Sequence, residues 1–339
     1  MKKICIQFGL SSNSFKIIGY VSYLNLKEPQ YNSKYTFINK NLEKIFNELG
    51  ISYLLDETFS LIDLLSDIIA QYQFSWLEVT LSIVKNKTKT FLQHVYLGGI
   101  LNLAGLERPV GIKQKNITNL RRNFIHLISE IMSDSINTTL IDLNKNHLKF
   151  DSFSSGILFH EIFGHLSEGD IKNIKSSFLP NMEINFNVFD IPTYPNEEDD
   201  LGIKGKNINL LQNNLSYTTG NVFAYIDKEN TKNNIGIIRQ RKLIAIPINP
   251  IDLITPNAII SSGKINVKKH MVYLKAYSCD RKYINLEIPL REIKEIFVSK
   301  DIPRSYSTIC KKASYSKIVS FKIPNTSVKL KKKIQSYIK

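Results

Sequence analysis

Apolar residues recur at helical spacing in three stretches of the first 150 residues. Leu42, Ile45, Phe46 and Leu49 fall on one face of a helix over residues 41–49, and Gly50 supplies its stop. Leu61, Leu64, Leu65, Ile68 and Tyr72 predict a second helix, and residues 116–132 repeat the pattern with Leu120, Phe124, Leu127, Ile128 and Ile131. His126 lies beside that last stripe and is expected to be a packed core histidine. Between the second and third helices the period drops to two. Leu77, Val79, Leu81 and Ile83 are expected inward, with Glu78, Thr80 and Ser82 outward, which predicts a half-buried strand. The start of the chain, Met1-Lys2-Lys3 followed by Ile-Cys-Ile-Gln-Phe-Gly-Leu, reads as a first strand, and residues 139–143 read as another. From about Val188 onward, short β-branched runs alternate with Asn, Gly and Pro breaks, as in 234–246 and 258–275, so this half is expected to be mostly strand.

The expected architecture is therefore α+β. An N-terminal α/β sandwich-like domain over residues 1–110 is followed by a mainly β domain, residues 111–339, that carries one helix near residues 154–166, the segment whose chemistry is read below as metal-binding.

Composition narrows the class. Of 339 residues, 43% are apolar and 22% charged, values that exclude global disorder, collagen and a coiled coil. The densest apolar run, 61–76, is broken by Asp63, Asp67 and Gln73, short of the roughly 18 uninterrupted apolar residues of a membrane span, so no membrane partner is expected. Ser11, Ser12, Asn13 and Ser14 interrupt the apolar core that a secretory signal requires, and three cysteines (Cys5, Cys279, Cys310) are an odd, sparse set suited to a reducing compartment. The protein is expected to be cytoplasmic. A net charge of +15 raises the question of nucleic acid, but the lysines are scattered, and the dense cluster Lys329, Lys331, Lys332 and Lys333 reads as a soluble tail. No specific nucleic-acid partner is expected; the charge favours acidic peptides at low salt.

The chemistry is concentrated in one segment, Gly156-Ile-Leu-Phe-His160-Glu161-Ile-Phe-Gly164-His165-Leu-Ser-Glu168-Gly169-Asp170. A neutral imidazole is a common zinc ligand, and an adjacent carboxylate can take a proton from metal-bound water, so His-Glu with a second His is a hydrolytic metal-site signature. The spacing is unusual. His160 and His165 are five residues apart, about 140° around an ideal helix, so a straight helix cannot aim both at one ion. Gly164 can end or distort the helix and bring the second imidazole back. Glu168 and Asp170 are candidates to orient a ligating imidazole through its other ring nitrogen.

The string His-Glu-Ile-Phe-Gly-His-Leu-Ser-Glu-Gly-Asp resembles the signature of the TldD/PmbA family of zinc metallopeptidases, whose catalytic member carries His-Glu-x-x-Gly-His followed by Glu-Gly-Asp. The resemblance implies one zinc ion per chain held by His160 and His165, with Glu161 as the catalytic base. It also implies a third ligand from a cysteine near the C-terminus. Cys310 has a lysine two residues on and Pro324 at about the family's distance, whereas nothing around the competing Cys279 matches; the family's glycines and glutamine after the cysteine are absent. Asp199-Asp200-Leu201-Gly202 resembles the family's Asp-Asp-Glu-Gly, and Thr219-Gly220-Asn221 its Thr/Ser-Gly-Asn/His stretch, making Asp199, Asp200, Gly220 and Asn221 candidates for substrate contact. Family members cleave short or unfolded peptides, and some trim leader segments from ribosomally made, modified peptides. The resemblance further implies a dimer, with a second copy or with a related PmbA-like subunit, and an alternative role as a weakly active or non-catalytic peptide-binding subunit.

Overall fold

The computed structural model describes residues 2–11, 14–25, 31–38, 42–85, 88, 90–136, 146–167, 181–196, 207–211, 215–219, 223–227, 235–236, 242–277, 283–301, 305–306, 320–332 and 336–337. It divides into two compact units, one built on Met1–His126 and the other on most of the chain that follows.

The first unit is an antiparallel sheet with helices inserted between its third and fourth strands. In chain order it comprises β1 (Lys2–Ser11), β2 (Ser14–Asn25), β3 (Tyr31–Ile38), α1 (Leu42–Leu49), α2 (Leu55–Gln71), β4 (Phe74–Lys85), β5 (Thr90–Leu103) and β6 (Leu106–Gln114). The strand order is β3-β2-β1-β4-β5-β6. The four apolar positions of α1 are all buried. Gly50, at φ 68°, ends that helix in the left-handed conformation, with Gly50 N–H donating to Asn47 O and Ile51 N–H to Phe46 O. Those paired bonds satisfy carbonyls that the last helical turn would otherwise leave open. The β5–β6 hairpin turns on Ala104 and Gly105, both at positive φ, as a tight two-residue loop requires.

Strand β4 corrects one expectation. Leu77, Val79, Leu81 and Ile83 are buried as the pattern implied, but Glu78, Thr80 and Ser82 are buried too. Aromatic side chains occupy the space beside glycines on that second face. A Cβ on Gly9 would fall 2.0 Å from a Trp76 ring atom, and a Cβ on Gly98 or Gly111 would fall 2.2 or 2.3 Å from the Tyr96 hydroxyl. Trp76 Nε1–H donates to Glu78 Oε2 at 2.9 Å, so the indole pairs with the carboxylate of this polar row. Burial pushes the Tyr96 phenol well above its ordinary range.

Helix α3 (Leu120–Ile136) buries Leu120, Phe124, Leu127, Ile128 and Ile131, and the Phe124 ring stacks 6.1 Å from that of Phe74. His126, expected in the core, is exposed. It stands three and four residues from Ser129, Arg122 and Glu130, on the polar side of the helix. The strand expected at 139–143 lies outside the described residues.

The second unit contains β7 (His147–Phe150), α4 (Ser152–Phe159), β8 (Glu183–Ile184), β9 (Phe186–Ile191), β10 (Lys242–Pro247), β11 (Ile259–Asn266), β12 (Met271–Tyr277), β13 (Tyr283–Pro289), β14 (Ile293–Val298), β15 (Ser320–Lys322) and β16 (Thr326–Leu330). Among the described residues these form a sheet β7-β16-β14-β8, a sheet β11-β12-β13 extended by Ser336–Tyr337, and a sheet in which β9, β10 and β15 lie between Ile208–Asn209 and Ser305–Tyr306. A further small sheet joins Leu215–Thr219, Phe223–Asp227 and Ile235–Gly236. The protein is α+β, with a strand-rich second half built around one buried helix. Among the described residues no helix is long and apolar enough to cross a membrane.

Candidate metal centre

The site is positioned by a helix enclosed on every side. Strand β7 ends at Phe150, and Asp151 caps the next helix: its extended backbone (φ −65°, ψ 168°) turns the chain, and its side chain accepts Ser154 N–H at 2.7 Å. From Asp151 to Leu166 every residue is buried, which is why this helix shows no apolar face in the sequence. Phe159 and Phe163 meet Phe186 at the start of β9, with ring centroids 4.9–5.5 Å apart. Burying each ring contributes about 1.5–3 kcal/mol relative to exposure. Replacing Asp151 with alanine is expected to lower stability by about 1 kcal/mol, read from the midpoint of urea unfolding of the intact chain; an unchanged midpoint would remove the cap from the account.

The five-residue spacing of the histidines is met by a change of helix type. Helix α4 gives way at His160 to a π-helical turn over His160–Gly164, closed by His165 N–H donating to His160 O, and then to a 3₁₀ turn over His165–Ser167. An i to i+5 bond widens the turn by one residue, so His165 comes round above His160 instead of passing beyond it. Gly164 lies inside this turn. The two imidazole centroids are 4.5 Å apart, inclined at 61°.

Glu161 reaches both rings. Its Oε1 lies 3.8 Å from His160 Nε2 and its Oε2 lies 3.9 Å from His165 Nε2, both longer than a direct hydrogen bond. Ligand atoms of His160, Glu161 and His165 all lie within 4.8 Å of one another, and all three residues are buried. Two imidazoles and one carboxylate at this separation can hold a metal ion, and a divalent cation would offset the cost of burying the carboxylate.

Strand β11 supports the carboxylate from outside the helix. Among the described strands it is at the edge of its sheet, and two of its backbone donors turn to helix side chains: Ile260 N–H to Ser154 Oγ and Ile265 N–H to Glu161 Oε2, each at 2.8 Å. Its register on β12 shifts between Ile260 and Ser262, a bulge that bends the strand beside the site. At Gly263 the strand comes so close that a Cβ would lie 2.9 Å from both Glu161 Cγ and Ile157 Cγ2.

No family model matches the chain, and no curated protein matches it. Among solved structures it is similar to TldE from Thermococcus kodakarensis, at 10% identity over 97% of this chain and 94% of that one, with a TM-score of 0.45. The candidate metal site therefore rests on this chain's own geometry.

Of the residues singled out in the sequence, the structure brings together His160, Glu161 and His165. Cys310, its competitor Cys279, and Glu168, Asp170, Asp199, Asp200, Gly220 and Asn221 lie outside the described residues. Ser154, Gly263 and Ile265 were not anticipated. Gly263 did carry a signal, since a lone glycine within the β-branched run of 258–275 marks a bulge or a close backbone approach.

Proposed function

We propose that this chain is a zinc-dependent peptidase that cuts short or unfolded peptides, including leader segments of ribosomally made, modified peptides. The observation that carries the reading is the buried triad on the π-turn, in which a carboxylate lies within 4 Å of both imidazoles. His160 and His165 would hold the ion, with Cys310 as the third ligand. Zinc, when bound, supplies a Lewis acid that polarises the peptide carbonyl and makes water a better nucleophile.

The remaining work falls to Glu161. Water adds its oxygen to the carbonyl carbon while one of its protons passes to the carboxylate, and the same proton goes to the amine nitrogen as the C–N bond breaks. Burial excludes bulk water from the carboxylate and keeps that transfer local. An extended peptide would be gripped by strand addition to a sheet edge, which reads backbone more than side chains. The working form is a cytoplasmic dimer, with a second copy or with a related PmbA-like subunit.

The test is zinc analysis of protein purified under reducing conditions, followed by mass spectrometry of unfolded peptides incubated with it. About one zinc per chain, and cleavage that a chelator stops and added zinc restores, is the expected result. Absence of zinc and of cleavage, with peptide binding retained, would overturn it in favour of a peptide-binding subunit.

A further inference from the structure

The Glu161 carboxylate is fixed at two points by one strand. At its root, Cγ lies against Gly263, where an added Cβ would be 2.9 Å away. At its tip, Oε2 accepts Ile265 N–H at 2.8 Å. Residues 263 and 265 are alternate positions of β11, so they share a face of the strand, and Ile157 and Glu161, one helical turn apart, form the ridge that lies against it. Leu274 on β12 closes the far side, 3.4 Å from the same Cβ position.

Gly263 cannot gain a methyl group at no cost. Real Cβ atoms essentially never approach another heavy atom within 3.0 Å, and neither obstructing atom is the free end of a long side chain. Glu161 Cγ is one bond from the carboxyl carbon, so any movement that clears it also moves both oxygens. The Ile265 donor is a backbone group, present whatever the side chain, and it points at the helix side chain instead of the sheet ladder.

We propose that Gly263 and the Ile265 amide are positioning elements for Glu161. The glycine admits the strand onto Cγ, and the amide immobilises Oε2. This rests on reading Glu161 as the base of a peptidase. A strand at the edge of its sheet among the described strands thereby sets the geometry of a base that sits on the helix.

Gly263→Ala is the direct test. In the full-length zinc-loaded protein, kcat is expected to fall about 100-fold, the scale of a 1 Å misplacement of a reacting group, with KM changed less than about threefold and zinc content unchanged. A second readout needs neither zinc nor activity. In metal-free protein, the Ile265 amide should exchange with deuterium about tenfold or more faster in Gly263→Ala than in wild type, as expected on losing a hydrogen bond to a charged group.

The double variant Gly263→Ala, Ile157→Ala removes the other obstructing atom, and the amount of folded protein is checked by circular dichroism. If the kcat loss persists in the double variant, it runs through Glu161, as proposed. Recovery of kcat there, or wild-type kcat and amide exchange in the single variant, would overturn the proposal. A wild-type protein without zinc or cleavage would instead remove the peptidase reading, and the amide exchange would still decide whether β11 holds Glu161.

Discussion

Glu161→Gln is expected to lower kcat for peptide cleavage by about 10²–10⁴-fold, the contribution typical of a positioned general base, while leaving zinc content near one per chain. The substitution keeps the shape of the side chain and an oxygen that can accept Ile265 N–H, so the contact at 2.8 Å survives. What disappears is the negative charge and the ability to take a proton at neutral pH. Because His160 and His165 remain, metal binding separates from turnover. KM should stay within a few-fold, since the change acts on the proton transfer and not on the grip of the peptide. Two outcomes would sink this account. Retention of more than one-tenth of the activity would remove Glu161 as the base, and loss of zinc would make it a ligand instead.

How far the sequence discloses this arrangement depends on whether side chains or backbone carry it. Helix α1 was legible because its buried side, Leu42, Ile45, Phe46 and Leu49, is separated cleanly from a solvated one. Helix α4 was not legible in that way: with Ser152 to Phe159 buried all round there is no periodic contrast to read, and only the chemistry of His160 and Glu161 betrays it. Alternation in β4 gave the buried face but not the fate of the opposite one, because Glu78, Thr80 and Ser82 are buried by packing on that face, Trp76 against Glu78 included, which alternation alone does not distinguish. At the candidate metal site, the spacing of His160 and His165 required a distortion, but whether Gly164 would end the helix or widen it rests on which backbone bonds the surrounding structure permits. The Ile265 amide is the extreme case, since every residue but proline carries the same donor.

His165→Ala should remove the metal. A site that has lost one of its two imidazoles keeps only His160 and the proposed Cys310 thiolate, too few donors for a tetrahedral zinc centre, so zinc is expected to fall from about one per chain to a trace and cleavage to background. The loss also has a thermodynamic signature. A metal that binds only the folded state stabilises it by about 2.7 kcal/mol at a free concentration 100 times Kd. For a unit of roughly 200 residues that corresponds to a rise in Tm of about 5–10 °C on adding zinc to metal-free wild type. In His165→Ala the rise should vanish, whereas Glu161→Gln should keep most of it and Cys279→Ser all of it. Cys310→Ser should behave like His165→Ala if the cysteine closes the site, and like Cys279→Ser if it does not. A zinc-dependent rise that survives in His165→Ala would place the ion somewhere other than the π-turn. In that case the 4.5 Å approach of the two rings would be a feature of core packing alone.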